Sequence, residues 1–385
     1  MKKVIAILLS ALLVLAFAAC NGAPNGGGGD SGGGGTKEKI LLFVVGNLGD
    51  FGFGDLSHYA CLDIQEKYDM EYRAIEGGTD NSMYVTTLLD AVETGGYDYV
   101  VSPSWYILDA LLAKIREGGV FASTKFILFD TNPTLDLSEF DNIVGISFKQ
   151  NDGSFLTAVY SCLMSKTGKV GAQAGSDSPV LNDFLTGYVN GVKWYNDAYS
   201  KNMQYIATYV GVTPLTIQGD YETAIVMYDQ GVDVLYNIAG SVTLGACQAA
   251  EEKGGAAAGR YVVGVDSDQW SVYAEAQKKG TDVAGYMNLS TSMLKNIRET
   301  VTWAMDGIKD GTVEFKNHRL GIADNGVGLA MNQNYRELTP ANVQAEVDAV
   351  IERIKNGEVD ILSYFDFAGY SEFEAYRDNP ASRRN

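Results

Sequence analysis

Histidine is nearly absent from this 385-residue chain: His58 and His318 are the only two, and they lie far apart. A zinc site or a histidine-based nucleophile triad therefore lacks its usual material, and an enzymatic role is disfavoured. Cysteine is also scarce. Beyond Cys20 there are only Cys61, Cys162 and Cys247, an odd set with no short metal-type spacing, which permits one disulfide and requires none. Basic residues are the third shortage, with 29 Lys and Arg against 48 Asp and Glu and a net charge of -19. Nucleic acid needs a basic face, so it is excluded as a partner. No cofactor is called for by any motif. The longest apolar run near the N-terminus, residues 4–17, is too short for a comfortable membrane span.

That run carries an address. Lys2 and Lys3 precede it, and Ala18-Ala19 supply the small residues a signal peptidase needs. Cys20 follows directly. The order resembles the bacterial lipoprotein signal, with Phe17 where that pattern prefers a leucine-like residue. The resemblance implies a signal peptide over 1–19, lipidation of Cys20 and a mature protein anchored outside the cytoplasm on the cell membrane. The alternative is a plain secretory signal cut near Ala19. Residues 22–35 are glycine-rich without apolar periodicity and read as a flexible coil, so 20–37 forms a tether.

About 350 residues remain, more than one compact core usually holds. From Lys39 onward, "KILLFVVG", "YDYVVSPS", "KFILFDTN", "KVGAQAG", "VDVLYNIAG" and "YVVGVDSD" are apolar on both faces and read as buried parallel strands. Between them, Val85, Leu88, Leu89 and Val92 fall at helical spacing, as do Leu108, Leu111, Leu112 and Ile115. Leu294, Ile297, Val301 and Ile308 extend the same reading to a helix over 291–308. Alternating strand and helix predicts an α/β fold with two Rossmann-like lobes, a clamshell joined by crossover hinge segments. The expected boundaries are 38–152 for the first lobe, completed by about 290–325, and 153–289 for the second, completed by about 326–360. The tail 361–385 carries six aromatic residues among acids and is left without a place.

In open parallel sheets ligands bind beyond the carboxyl ends of the strands. The residues there are Asn47, the stretch from Ser102 to Trp105, Asp130, Gly175-Ser176, Gly240-Ser241 and Asp266. Carboxylates, an amide, small residues that expose backbone N–H groups and an aromatic ring suit a neutral, hydroxyl-bearing, flat-faced ligand. "GNLGDFGFGD" after the first strand adds a glycine-rich turn that offers Asp50, Phe51 and Phe53.

The segments "GNLGDFGF", "FKQNDGSFL", "KTGKVGAQAGSDSPVLNDFLTGYVNGVK", "VDVLYNIAG", "VGVDSDQ", "STSMLKNI" and "NGVGL" occur in this order across roughly residues 38–330. They resemble the basic membrane protein family of substrate-binding lipoproteins, also called PnrA-like or Med. The resemblance implies the type I periplasmic binding protein fold, an ABC permease and ATPase as partners, and a nucleoside, in its best understood members a purine nucleoside, as ligand. By position, Phe53 resembles the stacking phenylalanine. Asn47 and Asp130 resemble the groups at the base edge, and Gly240, Asp266 and Lys295 those that hold the ribose. The family's second stacking phenylalanine is replaced by Val212-Thr213-Pro214, and Trp105 or Phe184 is the candidate to supply that wall. The protein is expected to act as a monomer that captures its ligand and closes. Alternatives are a simple sugar or other small polar ligand, a sensor docked on a membrane receptor, and an exported nucleoside hydrolase or phosphorylase using Asp50, Asp130 and Asp266.

Overall fold

A computed structural model describes residues 36–50, 52–212 and 214–382. Among these residues twelve strands form two sheets of six. The first sheet is ordered β11-β5-β4-β3-β1-β2, from β1 (Lys39–Val44), β2 (Glu71–Glu76), β3 (Tyr99–Pro103), β4 (Lys125–Phe129), β5 (Ile143–Phe148) and β11 (Asn317–Leu320). The second is ordered β12-β10-β9-β8-β6-β7, from β6 (Lys169–Ala174), β7 (Gln204–Tyr209), β8 (Val234–Ile238), β9 (Tyr261–Asp266), β10 (Leu289–Lys295) and β12 (Val327–Leu329). All pairings are parallel except β10 with β12.

The central strands are buried along their whole length because helices cover both faces. In each sheet the winding reverses at the strand that enters it, β1 between β2 and β3 and β6 between β7 and β8. Such switch points leave a crevice at the carboxyl ends of the strands.

Three chain crossings join the lobes, after β5, after β10 and between β11 and β12. They hydrogen-bond to one another: Lys149 N–H donates to the Leu320 carbonyl at 2.9 Å and Asn296 N–H to the Gly326 carbonyl at 2.9 Å. Residues 291–295 lie in β10, so the helical reading of 291–308 is corrected to a helix over Ile297–Asp310. Ser290, Thr291 and Ser292 are fully buried in that strand, where the Ser290 and Thr291 hydroxyls donate to backbone carbonyls of Val262 and Ala330. The chain thus returns to the first lobe after Lys295. There the helix Ile297–Asp310 packs on the helix Phe53–Tyr68, tied by Arg298 to Asp63 at 2.6 and 2.7 Å.

The helices Gln150–Met164 and Pro179–Tyr199 approach closely because Gly187 and Gly191 face the backbone of the partner helix; a Cβ at Gly187 would overlap the Asn151 carbonyl. Cys61, Cys162 and Cys247 are free, buried thiols whose pKa values burial pushes up.

The tail finds its place on the second lobe. Asp183, fully buried on the helix Pro179–Tyr199, accepts from the Ser363 hydroxyl at 2.7 Å, Tyr364 N–H at 2.8 Å and the Gln150 amide at 2.7 Å. Phe373 and Tyr376 are buried, and the Tyr205 hydroxyl donates to the Arg377 carbonyl at 2.6 Å. Burial raises the Asp183 pKa to about 6 despite these donors. A raised carboxylate pKa gives stability that is complete below the unfolded value of 3.8 and is lost as pH rises through about 6. Asp183→Asn should therefore flatten the decline in unfolding free energy between pH 4 and 6.5, by up to about 3 kcal/mol. Urea titrations across that range measure the slope, and an unchanged slope contradicts the assignment.

Candidate functional site

The cleft at the switch points begins with the loop after β1. The Asp50 carboxylate accepts from the N–H groups of Gly52 at 2.9 Å, Gly54 at 2.8 Å and Asp55 at 3.1 Å. It thereby caps the helix Phe53–Tyr68 and neutralises its positive end. Leu48 N–H on Glu76 and Gly49 N–H on Asp55, at 2.8 and 2.7 Å, tie down the rest of the turn. Phe53, in the first turn of that helix, is held facing the cleft, its ring centroid 4.8 Å from that of Trp105.

At the ends of β3 and β4 the indole N–H of Trp105 donates to Asp130 Oδ2 at 2.8 Å. Asp130 Oδ1 accepts from Lys295 Nζ at 2.7 Å, and the Asp130 carbonyl accepts from the Ser104 hydroxyl at 2.9 Å. Lys295 is 3% exposed and Asp130 8%. The ammonium group is also 5.2 Å from the ring centres of Phe53 and Phe184 and 5.5 Å from that of Phe148.

The second lobe contributes the ends of β8 and β9. Gly240 (φ +58°) opens a short helical turn, and its carbonyl accepts from the Gln269 amide at 2.8 Å. Gln269 Oε1 accepts from Val265 N–H at 3.1 Å, so one side chain fixes the spacing between the two strand ends. Asp266 is the last residue of β9, with φ +66°. Its pKa is raised to about 6, chiefly by burial; Lys295 acts against that shift, while Asp130 and Asp50 add to it. None of the described residues donates a hydrogen bond to its carboxylate.

Together these elements enclose a cleft of about 400 Å³, within the range usual for small-molecule sites. Of the residues singled out in the sequence, Asp50, Phe53, Trp105, Gly240 and Asp266 line it. Asp130, Lys295 and Phe184 form a buried layer behind Phe53 and Trp105, with Phe184 packed on the lysine rather than on the cleft. Asn47 is exposed on the loop and outside the lining, while Cys20 lies outside the described residues. Val212 sits on the surface, 38% exposed, and among the described residues no aromatic ring reaches the cleft from that loop.

Ser241, named with Gly240 at the end of β8 in the sequence, also lines it, whereas the sequence gave no role to Gln269, Val272 or Tyr273, which form further parts of the wall. Gln269 was within reach, since it ends the quoted "VGVDSDQ" and begins the helix Gln269–Lys278; Val272 and Tyr273 carry no local signal. Among the described residues no group of three or more His, Cys, Asp and Glu is placed to hold a metal ion, and no helix is long and apolar enough to cross a membrane.

Residues 37–360 match the family described as ABC transporter substrate-binding protein PnrA-like. The chain is 27% identical to basic membrane protein D of Borreliella burgdorferi (strain JD1) over 88% of its own length and 92% of that protein. It is 28% identical to the CD4+ T-cell-stimulating antigen of Listeria monocytogenes over 74% of its length and 77% of that protein. A solute-binding protein of an ABC transporter system from Aeropyrum pernix K1 shares the fold, with a TM-score of 0.71 and 19% identity over 90% of this chain and 98% of that one. The two lobes thus share the type I periplasmic binding protein fold. Members of the matching family bind a small molecule for an ABC transporter. The chain belongs to the PnrA-like family of ABC transporter substrate-binding proteins.

Proposed function

We propose that the cleft captures a nucleoside, in the first place a purine nucleoside, and that closure of the lobes presents it to the permease and ATPase of an importer. The observation that carries this reading is a pair of unlike walls: the rings of Phe53 and Trp105 on one lobe, and the Asp266 carboxylate beside Gly240 on the other. A flat base lies against rings, and a vicinal diol donates two hydroxyls to a carboxylate in charge-assisted bonds. Contacts made with both lobes at once favour the closed state over the open one. Lipidation of Cys20, with residues 20–37 as a tether, would keep a monomeric receptor beside its permease.

A simple sugar is the second reading. It is favoured by Asn47 standing outside the lining and by Asp130 being engaged with Trp105 and Lys295, so that a base edge finds fewer partners than the family resemblance implies. A thermal-shift panel on protein starting after Gly35 separates the two. A ligand at a hundred times its dissociation constant adds about 2.7 kcal/mol of apparent stability. Shifts with adenosine, guanosine or inosine are expected; shifts confined to sugars would replace the nucleoside reading.

Asp266 gives two further expectations. Asp266→Asn should weaken nucleoside binding roughly 10- to 100-fold without unfolding the protein, and calorimetric titration that finds unchanged affinity would remove it from the site. Because its pKa is raised to about 6, the carboxylate is ionised at pH 7.5 and protonates as pH falls below 6. Affinity should then drop by up to about tenfold per pH unit. A flat profile between pH 5 and 7.5 counts against the carboxylate as the diol acceptor.

A further inference from the structure

Trp105 is both a surface of the cleft and a partner of what lies behind it. Its ring lines the cavity beside Phe53, and its N–H donates to one oxygen of Asp130 at 2.8 Å. The other oxygen accepts from Lys295 at 2.7 Å. Neither Asp130 nor Lys295 contributes to the cleft wall. The indole therefore uses one of the two carboxylate oxygens and shields the ion pair, leaving Asp266 as the carboxylate on the cleft wall to which none of the described residues donates. The backbone supports this placement: Tyr106 and Asp130, on either side of the link, both hold left-handed conformations, with φ of +63° and +55°. Such strain in side chains other than glycine persists only where surrounding structure enforces it.

We propose that Trp105 is a specificity-determining residue. By occupying Asp130 it makes the cleft indifferent to hydrogen-bond donors on the edge of a ligand's flat ring, so that ring shape and hydroxyl groups decide what is accepted. The inference rests on the nucleoside reading. A chain with a smaller, N–H-free ring at this position would present Asp130 to the ligand and recognise edge donors.

Inosine and purine riboside test this, since they share ribose and a bicyclic ring while only inosine carries the N1–H donor. Wild-type protein should bind the two within about threefold of each other, less than one charge-assisted hydrogen bond would contribute. Trp105→Phe keeps a ring against Phe53 and removes the indole N–H. Its preference for inosine over purine riboside should rise about tenfold or more, the effect of one hydrogen bond to a charged group. Thermal unfolding checks the fold, and Trp105→Leu, which also lacks the donor, serves if the phenylalanine variant does not fold. A merely structural role would weaken both ligands alike and leave the ratio where it was. Nucleoside binding with an unchanged ratio overturns the role of Trp105 and leaves the nucleoside reading standing. No nucleoside bound by wild type or variants overturns both.

Discussion

Lys295 and Asp130 meet at 2.7 Å almost wholly out of water, and the cleft is arranged around that contact. Withdrawing each ion from solvent costs several kcal/mol, and a lone survivor of such a pair costs about 3–5 kcal/mol. Here the cost is offset by the ion pair itself, by the indole N–H on the second carboxylate oxygen and by three phenyl rings around the ammonium group. The partners come from different lobes: Lys295 ends β10 of the second sheet and Asp130 follows β4 of the first. One electrostatic contact therefore sets the separation of the strand ends beside the crossings, and the positions of Phe53 and Trp105 follow from it.

The backbone around this contact is held away from its preferred conformations. Tyr106, Asp130 and Asp266 have positive φ, and each lies at or beyond the end of a buried strand. Left-handed geometry in such residues costs on the order of 1–3 kcal/mol each. The strands supply the rigidity that keeps them there, since β3, β4 and β9 are paired on both sides. Turning the chain sharply at these points brings side chains of neighbouring strand ends together, which a smooth strand-to-helix transition would not do.

Much of this was legible in the sequence, and the reasons differ by element. The central strands announce themselves because burial on both faces requires unbroken apolar runs. The edge strand β2 (EYRAIE) does not, because solvent on one side lets charged residues alternate with apolar ones. β10 was misread because Leu294 falls in phase with the helix that follows, while buried Ser290, Thr291 and Ser292 look polar until their backbone partners are known. Among site residues, those at strand ends were reachable from the topology alone. The pairing of Trp105 with Asp130 was not, because it joins adjacent strands 25 residues apart through side chains whose directions depend on two left-handed turns. Placing the tail likewise required knowing that Asp183 is buried and accepts two hydrogen bonds from residues 363 and 364.

The cap on the helix Phe53–Tyr68 bears on the chemical state of the cargo. The amides of a helix N-terminus are a natural cradle for phosphate, but here Asp50 has taken three of the amides in that turn and brings a negative charge to the cleft wall. With Asp266 across the cleft and Lys295 sealed behind the rings, a phosphate ester meets repulsion where a neutral molecule meets none. The cleft is in effect a charge filter. A neutral molecule is thereby admitted ahead of its own phosphate ester.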